Sequence, residues 1–254
     1  MMDWTVITLL FIAGTAGGVI NALAGGATLI TFPVMLAAGL PPIIANASNA
    51  VAISPGHLIA AITDREKLPP FDRRLGFSVV VSLIGSFVGA LLLIALPERL
   101  FVLPVPALIA FATLLFSFAP QIQSWANARR NGAVPSAIWG AAVLGGVSIY
   151  GGFFGAGLGV MLTAVLAIAE PADIRKVKVL KNLLASSVSI AAMVIFIAQG
   201  VVRWPETAMM LVGALLGGYI GGHLVRILPA RSVRQFVIVA GIVMTVVYAA
   251  RYWL

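Results

Sequence analysis

Small polar side chains and paired glycines occur together at two places in this chain, in otherwise apolar surroundings. The first group is Asn21, Gly25, Gly26, Thr28 and Asn49, and the second is Gly155, Gly157, Gly159, Lys181 and Asn182. Amide groups, hydroxyl groups and the free N–H groups of glycine turns at a helix start can bind an anion without a formal positive charge. We therefore predict that these ten residues form a binding site for a small anionic substrate.

Two basic residues near these groups have alternative interpretations. His57 follows Pro55-Gly56 deep in an apolar segment, where it is either a proton-coupling group or a hydrogen-bonded structural histidine. Lys181 either attracts an entering anion or extends to the membrane surface as a topogenic residue. Asn46 and the serines at 186, 187 and 189 either join the site or form hydrogen bonds between helices.

The same residues argue against catalysis and against a bound cofactor. There is no G-x-S-x-G sequence and no Cys, and every Asp and Glu falls at a segment end or in a loop. We expect no catalytic residue, no metal site and no cofactor. The absence of carboxylates at mid-membrane favours an anion over a cation as the substrate.

Composition identifies the class of protein that must position these groups. Hydrophobic residues make up 61% of the 254 residues and charged residues only 9%, whereas soluble domains contain about 25% charged residues. Continuous apolar runs predict an all-α polytopic membrane protein whose partner is the lipid bilayer. The net charge of +8 lies in short loops, so we expect no nucleic-acid partner.

Two of the apolar segments are too long for one ordinary span, and both contain glycines. The segments are roughly 4–38, 44–63, 75–96, 102–119, 137–169, 182–199, 207–227 and 234–252. Gly17-Gly18 and Gly25-Gly26 interrupt the first segment, and the glycines from Gly151 to Gly159 interrupt the fifth. Pieces of about 15 residues reach only ~23 Å as helix, so both segments are predicted to be broken or re-entrant hairpins.

The two halves of the chain repeat the same landmarks. Gly17-Gly18 corresponds to Gly151-Gly152, and Asn49 corresponds to Asn182, at offsets of 134 and 133 residues. We predict a single transmembrane domain over 1–254, with repeat 1 at about 1–120, repeat 2 at about 132–254 and a linker at about 121–131.

The basic residues select a topology. If all eight segments cross once, the 16 Lys and Arg residues divide equally between the two sides. If the first and fifth segments are hairpins, thirteen share one side and only Arg99, Arg203 and Arg251 lie opposite. The positive-inside rule favours the second arrangement and places both termini outside. Each half is then a hairpin plus three spans, and two such halves are inverted repeats, as in secondary transporters.

The short return helix of each hairpin would begin at the glycines, near Gly25–Thr28 and near Gly157–Gly159. Its N-terminal N–H groups carry the positive end of the helix dipole, and two such ends would face one anion. Alternatively, the glycines only permit close helix packing. The pairs Gly14/Gly18 and Gly85/Gly89 and the series from Gly213 to Gly222 could pack inside one protomer or at a homodimer interface.

These sequences also resemble a known family. NALAGGATLITFPVMLAAGLPPIIANASNAVA, YGGFFGAGLGVML and DIRKVKVLKNLLAS are similar to the sulfite exporter TauE/SafE family of bacterial membrane permeases. One departure is Val177-Lys178-Val179, where the pattern has Ala-Asn-Ala. The resemblance implies a multi-pass protein of the bacterial inner membrane that exports sulfite or an organosulfonate. An anion channel and a structural membrane protein without transport activity remain the alternatives.

Overall fold

The computed structural model describes residues 3–23, 26–63, 65–128, 137–169, 174–224 and 229–254. These residues form twelve α-helices and one 3-10 helix, with no strand among them, which confirms the predicted all-α class. The helices are α1 (Trp4–Leu23), α2 (Thr28–Ala37), α3 (Pro42–Thr63), α4 (Arg73–Ala95), α5 (Glu98–Val102), α6 (Val105–Ser117), α7 (Ala119–Ala128), α8 (Ala137–Phe153), α9 (Leu158–Ala169), α10 (Ile174–Ala198), α11 (Trp204–Leu224) and α12 (Ala230–Trp253), and the 3-10 helix is Arg65–Lys67.

Six helical stretches among the described residues are long and apolar enough to cross a membrane. They are Trp4–Ala22, Arg73–Ala95, Glu98–Ser117, Lys176–Ala198, Trp204–Leu224 and Arg231–Trp253. Helix α3 has 22 residues but carries two Asn, a His and two Ser residues, and it is outside this set. Large apolar side chains cover much of the outer surface, for example Ile84, Phe77 and Val246, as expected for contact with lipid. The chain is a polytopic α-helical membrane protein.

Both long apolar segments are interrupted where a return helix was predicted. Helix α1 ends at Leu23 and α2 begins at Thr28, while α8 ends at Phe153 and α9 begins at Leu158. Because α2 has 10 residues and α9 has 12, these helices extend only about 15 and 18 Å, less than a hydrocarbon core of ~30 Å.

The first arm of each hairpin is longer than predicted. Helix α1 has 20 residues and α8 has 17, so each segment consists of one long arm and one short arm rather than two pieces of about 15 residues. Gly17-Gly18 and Gly151-Gly152 lie within these helices and do not interrupt them. The prediction that Gly17-Gly18 interrupts the first apolar segment was therefore wrong. The prediction that the second break begins as early as Gly151 was also wrong.

The long arms of the hairpins pack against the opposite half of the chain. Helix α1 lies along α11, and α8 lies along α4. A Cβ added at Gly217 would lie 2.7 Å from the backbone carbonyl carbon of Thr15, and one at Gly152 would lie 2.7 Å from the Cα of Ser86. Real Cβ atoms do not approach other atoms this closely, so these contacts require glycine. The glycines thus serve close helix packing inside one protomer, which was one of the two interpretations of the sequence.

The remaining packing also joins the two halves. Helix α3 contacts α10, and α6 contacts α12. Helix α7 covers the first part of the predicted linker and packs on α9, whereas residues 129–131 of that linker lie outside the described residues. The two-repeat boundaries and the inversion of the repeats remain predictions.

Gly89→Ala should destabilise the protein because the added methyl group would meet the backbone carbonyl of Ile149 and lie 2.8 Å from the Phe153 nitrogen. Overpacking of this kind costs about 1–3 kcal/mol. We expect a lower midpoint of thermal unfolding in detergent. Gly146→Ala on α8 is the matched control, since a Cβ there has no neighbour within 4 Å. Equal midpoints for the two variants would contradict close packing of α4 on α8.

Candidate functional site

A polar cavity lies between α3, α10 and the second helix break. It contains about 430 Å³ of empty space, its mouth included. The polar side chains in its wall are those of Thr28, Asn46, Asn49, Ser54, His57 and Ser189. The backbone of Gly151, Gly152 and Gly155 forms another part of the wall, and Phe154, Leu158 and Phe196 supply apolar surface.

The two breaks lie close to each other in the fold. The ring of Phe32 in α2 packs edge-on against the ring of Phe154 in the second break, with centroids 5.2 Å apart. Both breaks also contact α6: a Cβ added at Gly26 would lie 2.9 Å from Phe116, and one at Gly157 would lie 3.3 Å from Leu115. Residues of both interrupted segments therefore reach the same cavity.

The second break is a tight turn that requires glycine. The Tyr150 carbonyl accepts hydrogen bonds from the N–H groups of Phe154 (2.9 Å) and Gly155 (3.2 Å), which ends α8. Gly155 and Gly157 then adopt φ angles of +77° and +81°, a region unfavourable for residues with a Cβ. The Tyr150 hydroxyl donates to the carbonyl of Ala156 at 2.7 Å and so holds the turn.

Each short return helix begins at the cavity. Thr28 is the first residue of α2 and Leu158 the first of α9, and both line the cavity wall. No side chain caps α2 at Ala27, and its first intrahelical bonds run from Leu29 to Gly26 and from Thr31 to Ala27. The N–H groups of the first turn carry the positive end of each helix dipole. Both ends favour negative charge in this cavity.

Two asparagines one turn apart on α3 form the opposite part of the wall. Asn46 and Asn49 are each 1% exposed. The Nδ2 of Asn46 donates a hydrogen bond of 2.9 Å to the carbonyl of Phe153, the last residue of α8. The Oδ1 atoms of both asparagines are buried and accept no hydrogen bond from any residue that the structure describes. Asn46 therefore secures the end of α8 and also presents an unused acceptor.

Comparisons with known proteins identify the kind of protein that contains this cavity. A family described as sulfite exporter TauE/SafE matches residues 10–248. The chain belongs to the sulfite exporter TauE/SafE family. It is a membrane transporter, and such a role points away from an enzyme.

Curated relatives agree over nearly the whole chain. A "Probable membrane transporter protein" of Haemophilus influenzae is 26% identical over 94% of this chain and 93% of its own length. The "Probable membrane transporter protein YfcA" of Escherichia coli K12 is 28% identical over 96% and 90%. "Probable membrane transporter protein ORF9" of a Sinorhizobium species is 22% identical over 95% and 91%. No solved structure matches the chain.

The structure of this TauE/SafE protein brings part of the predicted site to the cavity. Thr28, Asn49, Gly155 and His57 line it. Sequence reasoning had treated Asn46 and Ser189 as equally suited to bonds between helices and had not singled out Ser54. The hydrophilic face of α3, on which Asn46, Asn49 and His57 recur, is the signal that could have selected them together.

Other predicted residues are outside the cavity wall. Gly26 and Gly157 shape the two turns, and a Cβ on Gly159 would have no neighbour within 4 Å. Asn21 faces α3, where its Nδ2 lies 3.0 Å from the position of a Cβ on Gly56. Gly25 lies outside the described residues.

Lys181 and Asn182 lie on α10 outside the cavity wall, and both have interactions within the protein. Lys181 is near enough to interact electrostatically with His57, and the Ser186 hydroxyl donates to the His57 carbonyl at 2.7 Å. Ser186 of α10 therefore holds the backbone of α3 at His57. A role for Lys181 in anion capture stays a prediction.

No acidic side chain lies among the described residues of the wall. Glu206 is buried at the start of α11, where one carboxylate oxygen lies 3.9 Å from Arg203. The neighbouring N–H of Arg203 donates to Ser48 on α3 at 3.0 Å. In the described part of the chain, no three His, Asp or Glu side chains group in a way that suits a metal ion.

Gly157→Ala and Gly159→Ala should distinguish a glycine that the turn requires from a nearby glycine that it does not require. The first change places a Cβ at φ +81°, which costs about 1–2 kcal/mol, and should lower the unfolding midpoint. Gly159→Ala should leave it equal or higher, because the position is open and helical. Thermal unfolding of the purified variants measures both effects. A destabilised Gly159→Ala with a normal Gly157→Ala would contradict the turn described above.

Proposed function

We propose that this protein exports a small sulfur-containing anion, sulfite or an organosulfonate, by alternating access, and that the cavity is its substrate site. The observation that supports this most directly is the meeting of two helix starts, at Thr28 and Leu158, in one polar cavity. Interrupted helices that direct their dipoles at a substrate are typical of secondary transporters. Membership in a family named for sulfite export supports the choice of anion.

The electrostatics of the wall favour an anion. Each helix N-terminus contributes about 0.3–1 kcal/mol to anion binding, and up to ~2 kcal/mol in partly buried geometry. The described wall contains no carboxylate that would repel an anion. The remaining groups are amides, hydroxyls and the imidazole of His57, which bind oxyanions through hydrogen bonds.

The packing of the long arms is suited to alternating access. Since α1 packs on α11 and α8 packs on α4, each arm is attached to a helix of the other half. Close glycine contacts hold each arm against its partner helix, so the bundles formed by these pairs can move as rigid bodies around a fixed site. The short helices α2 and α9 would then open to one side at a time.

Flux measurements in proteoliposomes test the proposal. Sulfite should move down its gradient at carrier rates, and Asn49→Leu should lower the specific uptake rate about tenfold because a buried hydrogen-bonding group is lost. Ser187→Ala is the matched control: its hydroxyl bonds to Leu183 of its own helix and is outside the cavity wall. Lys181→Ala tests the predicted capture of anions. Absence of any anion flux would refute the proposal, and currents far above carrier rates would show a channel instead.

Orientation is a separate part of the proposal. We place the protein in the bacterial inner membrane with both termini outside, from the count of thirteen basic residues against three. The natural chain contains no Cys, so single cysteines can be introduced without background. Cysteines at Asp3 and Leu254 should react with an impermeant maleimide added to intact spheroplasts, and a cysteine at Gln123 should react only after lysis. The opposite pattern would overturn the hairpin topology.

A further inference from the structure

We infer that the cavity selects an anion that itself carries a hydrogen-bond donor: an oxyanion that retains one proton, or a sulfonate that bears a hydroxyl group. The inference rests on the proposed function, because it assumes that the cavity binds the transported anion. The inference explains the selectivity of the site among anions by the Oδ1 atoms of Asn46 and Asn49.

The orientation of the Asn46 amide is determined by its partner. The Phe153 carbonyl can only accept a hydrogen bond, so the group that meets it at 2.9 Å must be the Nδ2 of Asn46. The Oδ1 must then point elsewhere, and it is buried without a donor among the described residues. Reversing the amide would bring two acceptors together and is excluded on chemical grounds.

Asn49 repeats this feature one turn further along α3. Residues three apart share one face of a helix, and both asparagines line the cavity. The Oδ1 of Asn49 also lacks a donor among the residues that the structure describes. The hydroxyl of nearby Ser54 donates to the Ala50 carbonyl at 2.6 Å, so its proton is already used. The wall therefore contains two buried acceptors that a donor on the anion can satisfy.

A donor-bearing anion satisfies both parts of the wall at once. Its negative oxygens accept from the helix starts at Thr28 and Leu158, and its own O–H donates to the asparagine oxygens. The Oδ1 atoms have no donor among the described residues, so an O–H group that reaches them adds hydrogen bonds. A fully deprotonated oxyanion or an alkyl sulfonate would leave these acceptors unpaired.

This difference should give measurable selectivity. An unpaired buried acceptor lowers the affinity about fivefold to 150-fold. Sites built to hydrogen-bond a hydroxyl group reject analogues that lack it more strongly than apolar pockets reject a change of size. The asparagine oxygens thus discriminate by chemistry rather than by volume.

Two sulfonates of equal charge and nearly equal size test the inference. Hydroxymethanesulfonate carries a hydroxyl group where ethanesulfonate carries a methyl group. Binding to the purified full-length protein, measured by isothermal titration calorimetry, should favour hydroxymethanesulfonate about tenfold or more. Equal affinities would overturn the inference, and this comparison needs no variant.

Variants test whether Asn49 causes the preference for the hydroxyl-bearing sulfonate. Asn49→Leu should weaken the binding of hydroxymethanesulfonate alone, so the ratio of the two affinities should fall toward one. Ser82→Ala is the matched control, because the Ser82 hydroxyl is also buried without a partner but lies on α4 outside the cavity wall. It should keep the full preference. If Asn49→Leu weakened both ligands equally, or if Ser82→Ala removed the preference, the assignment to Asn49 would be wrong.

The pH dependence separates the two kinds of donor-bearing anion. Sulfite loses its proton near neutrality, whereas 2-hydroxyethanesulfonate, which cannot release an aldehyde, keeps its charge and its hydroxyl group. Apparent sulfite affinity should therefore fall as the pH rises through neutrality, and 2-hydroxyethanesulfonate affinity should stay constant. The ionisable groups that face this region are His57 on α3, Lys181 on α10 and Tyr150 on α8. If the affinities of both ligands changed in parallel with pH, the titrating group would be one of these side chains. The inference that the cavity selects a protonated oxyanion would then be overturned.

Two further outcomes distinguish the remaining alternatives. If ethanesulfonate bound tightly only when Na⁺ or K⁺ was present, a cation would be occupying the asparagine oxygens and the inference would be overturned. If no anion bound at all, the proposed function itself would fail. Tight binding of both sulfonates without a preference would leave anion transport intact and refute only the selectivity.

Discussion

An interrupted helix inside a membrane frees backbone groups that have no water to bond with, and most of the site follows from this constraint. Here the end of α8 is satisfied by three contacts: the Tyr150 carbonyl accepts two N–H groups, the Tyr150 hydroxyl serves Ala156, and Asn46 serves Phe153. The side chains that close the turn are therefore fixed in position. Because Asn46 must direct its nitrogen at the helix end, its oxygen is directed away. The need to satisfy the end of α8 therefore determines that Asn46 offers an acceptor, and not a donor, to other groups.

The glycines have two functions, and different glycines at different places in the fold perform them. Gly155 and Gly157 allow a backbone turn that other residues resist, and they lie in the break itself. Gly152 and Gly217 remain helical and allow two backbones to approach closely. The first group creates free helix ends, and the second attaches the long arms to the opposite half. A transporter of this design needs both, since free ends without a rigid scaffold would not hold their positions.

Local features of the sequence predicted the membrane class, the all-α fold and the starts of both return helices at Thr28 and Leu158. Glycine spacing alone could not distinguish a break from a close contact. Gly18 packs on Ala214 of α11, far along the chain, and Gly17 packs on Thr31 of α2. The importance of Asn46 was also hidden, because its partner Phe153 is 107 residues away. The predicted apolar segment began at Asn182, but α10 begins at Ile174, so Lys181 and Asn182 lie about two turns inside this helix. The face that α10 turns toward the cavity depends on its packing against α3.

The crossed packing of the long arms also governs how the protein can be made. Trp4, at the start of α1, precedes Trp204, at the start of α11, by 200 residues, so α1 leaves the ribosome long before its packing partner exists. During synthesis its glycine face must be covered by lipid or by the insertion machinery. Contacts this distant in sequence form late and slowly. Helix α12, which packs on α6, is made after α11, so both of these pairings are completed only when the last helices have entered the membrane.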